Sequence, residues 1–335
     1  MTSMNGQLAT APRGFSGPLA GLAMEQPQSW GLLDVVPLLS LEQVPGSEQF
    51  VAPLQYLYLV RVHTYGTLEL QNTASTGVLI APMHIGFFQS GAQNHATSRV
   101  ILLDPNEKLI ADDCFCIQQS QGGFLIEAQQ RFIVLPLGLR RAALGSRKEK
   151  SFSRLWDKIE TFNQRYGIKR GGHLERFLRP NFPRLLPLRH AFETLPRQVG
   201  AAYFVSGRLL GVEVMPNAAC WADMGPILTM YCYGAAALQA ERHQMQPTRT
   251  PLSLNALTGL DDLAQRLAQA RQQDAATRLQ ELTIFAQYPW QYTPEESKKD
   301  LQIMHMAAQE WTGQSVQIAQ QTVYLSVFRD LKDDL

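Results

Sequence analysis

The chain has 335 residues, 30 Lys and Arg against 29 Asp and Glu, 45% hydrophobic and 18% charged residues, and four cysteines. That apolar content excludes a mostly disordered chain, 24 glycines with 19 prolines exclude a fibrous one, and a formal net charge of +1 argues against a histone-like or acidic-tail protein. No apolar run approaches the roughly 18 residues that cross a bilayer. Residues 1–28 lack the pattern of a secretory signal, and Cys114, Cys116, Cys220 and Cys232 are too few for a disulfide framework. The expected compartment is the cytoplasm, with no membrane partner.

Taken in chain order, residues 1–28 are rich in Gly, Ala, Ser, Thr, Pro and Gln and are expected to form a flexible tail. From Trp30 short β-like runs follow: Gln55–His63, Thr67–Gln71, Thr76–Ala81, Arg99–Leu103, Lys108–Gln118 and Phe132–Leu137. Turn signals such as Asp104-Pro105-Asn106 separate them, and so many short strands in succession predict antiparallel pairing. Ser151–Tyr166 carries Leu155, Ile159, Phe162 and Tyr166 on one helical stripe. A Pro- and Arg-rich connection leads to a β-hairpin over Ala201–Met215 turning at Gly207-Arg208, then a helix over Met224–Glu241. Residues 244–252 read as a linker. Two helices are expected beyond it, the second opened by the Thr293-Pro294-Glu295-Glu296 capping pattern ahead of Leu301, Met304, Ala308 and Trp311. Thr322–Phe328 reads as a closing strand that pairs back into the earlier sheet. The fold class is therefore α+β, a mainly antiparallel β core with packed helices from the central and C-terminal segments. The organisation is a tail (1–28), a core (29–243) and a C-terminal portion (244–335) packed on that core.

Charge is distributed unevenly. Residues 131–197 hold 16 Lys and Arg against 5 Asp and Glu, a balance of +11, which leaves −10 for the remainder. Such a segment suits phosphates, whether of a nucleic acid, a nucleotide or an acidic partner, or forms a solvated face paired with acids elsewhere. Gly91-Ala92-Gln93-Asn94-His95 is a polar turn between apolar runs, suited to hydrogen-bonding a ribose, base or pyrophosphate, or to satisfying its own backbone. Cys114-x-Cys116 lacks the spacing and second pair of a zinc knuckle and is expected to be two buried thiols on one face of a strand. No spacing singles out a catalytic nucleophile, a metal site or a cofactor fingerprint.

Several segments resemble the ARPP domain family, the "ADP-ribosylglycohydrolase and rhodanese-phosphatase associated" domain. They are Val78–His95, Ser98–Leu103, Asp113–Gln119, Gln198–Val214, Tyr231–Leu238 and the closing strand. The family pattern runs from an apolar strand to a Gly-Gly/Ala-x-Gln-Asp/Asn-Arg-like turn, then a strand ending Cys-Val-Glu-x-Gly-Arg-Trp, then a hairpin and a Tyr- and Ala-containing helix. His95 stands here for that Arg and Gln118 for that Glu, while Ser120–Phe124 replaces the Gly-Arg-Trp end. Gln118 can offer hydrogen bonds and no acid–base chemistry.

The resemblance implies a link to ADP-ribose or NAD metabolism and to bacterial stress or anti-virus systems. The expected function is a binding module for an ADP-ribose- or nucleotide-like ligand, within a multi-gene system that supplies a protein partner. Gln93, Asn94, His95 and Gln118 would give neutral hydrogen bonds, and basic residues including Arg140, Arg141, Lys169 and Arg170 would hold phosphate. The alternatives are a nucleic-acid-binding subunit using segment 131–197, and an enzyme acting on ADP-ribose linkages through Asp112, Asp113 or His95.

Overall fold

A computed structural model describes residues 14–42, 44–88, 93–119, 131–149, 151–168, 171–255 and 257–330. Its frame is a nine-stranded, wholly antiparallel sheet assembled from both ends of the chain. The strand Leu33–Ser40 pairs with Gln198–Val205, which forms a hairpin with Arg208–Val214 through the left-handed residues Ser206 and Gly207. The closing strand, Gln321–Arg329, pairs with Arg208–Val214 as the sequence implied, and three further strands extend the sheet outward. Three smaller sheets are built from residues 50–134: two pack against one face of the frame, and the third, of Leu57–Thr64, Thr67–Asn72 and Lys108–Ala111, packs on the far side of those two.

Those three outer strands correct the expected C-terminal helix. Gln291–Lys298, Leu301–Ala308 and Trp311–Ile318 are consecutive β-hairpin strands. Leu301 and Ile303 are buried on one face and Met304, Met306 and Ala308 on the other, so clean alternation is lost, and Leu301, Met304 and Ala308 fall at helical spacing. The two-residue turns Lys299-Asp300, Gln309-Glu310 and Ala319-Gln320 adopt positive φ without glycine or asparagine, so the usual hairpin signal is missing. Pro294 sits in the edge strand beside a register shift, where a missing N–H does little harm. Its neighbours Glu295 and Glu296 reach the basic side chains Arg147 and Arg99 instead of capping a helix.

The helices come from the middle of the chain. Leu137–Ser146, Trp156–Arg165 and Glu175–Leu185 come from the basic segment, and only the middle one had a clear periodic signature. Glu175–Leu185 tolerates Pro180 and Pro183 because both prolines lie on its exposed side, where solvent can reach the backbone. The expected helix over Met224–Glu241 begins earlier, at Ala218 under an Asn217 cap, and passes through a π-turn at Leu228–Tyr233 before ending at Arg242. The segment expected as a tail is described from residue 14: Leu19 and Leu22 are buried, and Leu22–Met24 pairs with Leu33–Ser40. Residues 1–13 lie outside the described residues.

The two sheet faces differ in chemistry. One buries Val36, Ala202, Val212 and Val327 under Leu282, Phe285 and Ala286 of the 27-residue helix Leu260–Ala286. The opposite face carries a transverse row fixed by strand register: Thr293, His305, Gln314, Ser326, Glu213 and Ala201. Gly211 lies on that face directly beneath Tyr233, and a Cβ there would fall 2.1 Å from the Tyr233 hydroxyl. Gly211→Ala therefore forces the helix off the sheet. The expected loss is about 1–3 kcal/mol, read as a lower urea midpoint.

Candidate functional site

Gln93, Asn94, His95 and Gln118 are brought together and are all buried. The Asn94 N–H donates to Gln118 Oε1 (3.1 Å), and the Ile117 N–H donates to the Asn94 carbonyl (3.0 Å). Cys116 Sγ lies within reach of Gln93 Oε1 (3.2 Å) and the Gln118 carbonyl (3.0 Å). His95 Nδ1 is 2.8 Å from the Gln93 carbonyl, and the Gly66 N–H donates to Nε2 at 3.1 Å. A carbonyl can only accept and an amide N–H only donate, so Nδ1 carries the proton and the ring is neutral. Burial pushes the imidazole down to about 4, against the small opposing effect of the Gln93 carbonyl. Both ring nitrogens are thus committed to backbone, and the four residues tie three chain segments together. Gln118 also bridges to His173, and the Gly172 N–H donates to Gln119 Oε1 at 2.8 Å, which seats the basic helices on the same tie.

Arg140, expected at a phosphate, faces the core. It is fully buried, bonded at 2.5 Å to Glu213 and also to the Ser326 hydroxyl, with its guanidinium 5.0 Å over the Phe328 ring. Tyr233 donates to the same Glu213 oxygen at 2.7 Å and stacks on Tyr203, with ring centroids 3.8 Å apart. A lone acid in the strand Leu-Leu-Gly-Val-Glu-Val was the sequence signal for this cluster, since a buried carboxylate requires a matched cation. Burial pushes Arg141 down to about 10. Lys169 and Arg170 lie outside the described residues, as do Gly91 and Ala92.

A different group of cations converges at the surface. Arg165, Arg184 and Arg242 occupy the last turns of three helices, Trp156–Arg165, Glu175–Leu185 and Gly234–Arg242, where the helix dipole favours positive charge. All three act electrostatically on Tyr166, whose hydroxyl donates to the Ala235 carbonyl at 2.7 Å and whose ring lies 5.8 Å from the Arg242 guanidinium. Burial raises the Tyr166 phenol, and all three arginines oppose that shift. Glu241 pairs with Arg184. Arg184 and Arg242 are 58 residues apart in sequence, and their meeting was not legible before folding.

Asp113 is held by Ser98 (2.6 Å) and Arg99 (3.2 Å), while Asp112 is exposed. Cys114 packs among Leu57, Leu68 and Ala111, whereas Cys116 belongs to the polar tie, so the two thiols do not share a site. Burial raises both, and all four cysteines are buried. Among the described residues no group of three His, Cys, Asp or Glu is placed to hold a metal ion. Among them, too, no helix is long and apolar enough to cross a membrane.

The fold is an α+β antiparallel-sheet protein with a sealed polar tie and a surface cluster of arginines. The chain belongs to the ARPP-1 family, the ARG and Rhodanese-Phosphatase-superfamily-associated Protein domain, whose model matches residues 21–328. No curated protein and no solved structure matches it.

Two outcomes test these clusters. Arg140→Met strands the Glu213 carboxylate in the core and is expected to cost about 3–5 kcal/mol in urea unfolding, with Arg140→Met/Glu213→Gln recovering part of it. For His95 the folded state disfavours the proton, so the unfolded chain binds more protons between about pH 4 and 6.5 and stability rises with pH there. Stability is full above pH 6.5 and is lost by roughly 3 kcal/mol as pH falls towards 4. Buried His84, also lowered by burial, adds in the same direction. His95→Gln should flatten this slope in urea midpoints measured across that range.

Proposed function

We propose that the chain is a binding protein for a phosphate-bearing ligand of the ADP-ribose or nucleotide class, working with other proteins of a bacterial stress or anti-virus system. The observation that carries this reading is the convergence of Arg165, Arg184 and Arg242 around Tyr166, with Glu241 as the acid paired there. Guanidiniums on separate rigid helices suit a diphosphate, because their forks can reach several oxygens at once. The family description, which associates this domain with ADP-ribosylglycohydrolase and rhodanese-phosphatase superfamilies, supports the ligand class and the partner class. Gln93, Asn94, His95 and Gln118 serve as the foundation under the basic helices. Nucleic acid is the second reading, favoured by Arg176, Arg179 and Arg184 on the exposed side of one helix.

The test is calorimetric titration with ADP-ribose, ATP and pyrophosphate at low and high salt, beside short DNA and RNA. Binding of a small ligand that survives high salt is expected. Arg165→Ala and Arg242→Ala should each weaken it about tenfold, the loss of one charge-assisted hydrogen bond. Affinity for nucleic acid alone, falling steeply with salt, would replace the first reading with the second.

A further inference from the structure

The helix Leu260–Ala286 is anchored to the sheet only through its second half. Its buried residues are Arg278, Leu282, Phe285 and Ala286, with Arg278 paired to buried Asp34 at 3.0 Å. The first half stands clear of the sheet and is braced by the segment that precedes it. Thr250 donates to Asp274 (2.8 Å), Arg266 donates to the Ser253 and Asn255 carbonyls (2.9 Å each), and the Thr258 N–H donates to Asp262 (3.1 Å). This antiparallel brace makes the arm a built element. It nevertheless leaves Leu260 84% exposed and Leu254 60% exposed, with Leu257 and Leu267 also exposed. Such leucines are costly in water unless something covers them.

One stripe of the arm, beside the brace, runs Leu260, Ala264, Leu267, Ala268, Arg271 and Ala275 at helical spacing. Its order is self-complementary. Antiparallel pairing of two copies about a two-fold axis between Leu267 and Ala268 sets Leu260 opposite Ala275, Ala264 opposite Arg271, and Leu267 opposite Ala268. Every large side chain then meets a small one, twice over. Arg271 of one copy also lies one turn from Asp261 of the other, and among the described residues neither has an ion-pair partner within its own chain. We propose that this arm is a homodimerisation surface, covered by the same stripe of a second copy through antiparallel helix pairing. The stripe spans about 24 Å at 1.5 Å per residue, a narrow interface, so the association falls in the micromolar range.

Sedimentation of the full chain from about 1 to about 200 µM should show a monomer–dimer equilibrium. Leu260→Glu/Leu267→Glu should raise its dissociation constant at least about tenfold, because each substitution replaces an apolar contact with a carboxylate. Circular dichroism and binding at the arginine cluster, which is remote in sequence, should be unchanged in that variant. The native cysteines are all buried, so a short bis-maleimide reports on an introduced thiol. Ala268→Cys should be cross-linked into dimers, while Gln265→Cys, off the stripe, should not. A monomer at every concentration, or a dimer indifferent to the leucine substitutions and linked equally at both cysteines, overturns the proposal. If the double variant fails to fold, Leu260→Glu alone and the cysteine pair decide. A lost dimer with retained ligand binding, or the reverse, separates this proposal from the functional reading above.

Discussion

A carboxylate at Glu213, in a central strand of the nine-stranded sheet, is the constraint on which the rest depends. It is sealed from water, so it must be neutralised by something equally buried. Arg140 does so from the helix Leu137–Ser146, Tyr233 adds a hydrogen bond from the helix above, and Ser326 takes the other end of the guanidinium from the neighbouring strand. Four elements, separated by up to 186 residues, are fixed relative to one another by this one group. Gly211 is the counterpart: its missing side chain lets the Tyr233 ring descend to the sheet.

The second polar cluster works by a different physical rule. Gln93, Asn94, His95 and Gln118 hold no net charge, and the fold keeps His95 neutral by pairing each ring nitrogen with a backbone group. The cluster reaches the Gly171–His173 turn at the foot of the helix Glu175–Leu185. The side chains nominated as ligand contacts therefore hold the platform from which other cations face solvent.

The family and the α+β class were legible because they rest on features that survive without a third dimension: apolar runs, the Gly207 hairpin, the closing strand and the motif order. The failures have specific causes. The strands Gln291–Lys298 to Trp311–Ile318 were read as a helix because both faces of Leu301–Ala308 are buried, which leaves Leu301, Met304 and Ala308 at helical spacing, and because their turns use Lys, Gln and Ala residues at positive φ. The helix Glu175–Leu185 was missed because Pro180 and Pro183 normally end a helix, and their exposed side was invisible in one dimension. The burial of Arg140 was not foreseen, since charge count cannot distinguish a cation that faces solvent from one that neutralises a buried acid.

Composition alone determined that the protein folds around a large core and concentrates positive charge in residues 131–197, since both follow from counting apolar and ionic groups. The tertiary structure decided where that charge is spent. Burial removes Arg140 from solvent, salt bridges assign Arg147 and Arg184 to acids over a hundred residues and 57 residues away, and helix packing gathers Arg165, Arg184 and Arg242 around one tyrosine. Electrostatic energy depends on distance and dielectric, and both are set only when the chain has closed on itself.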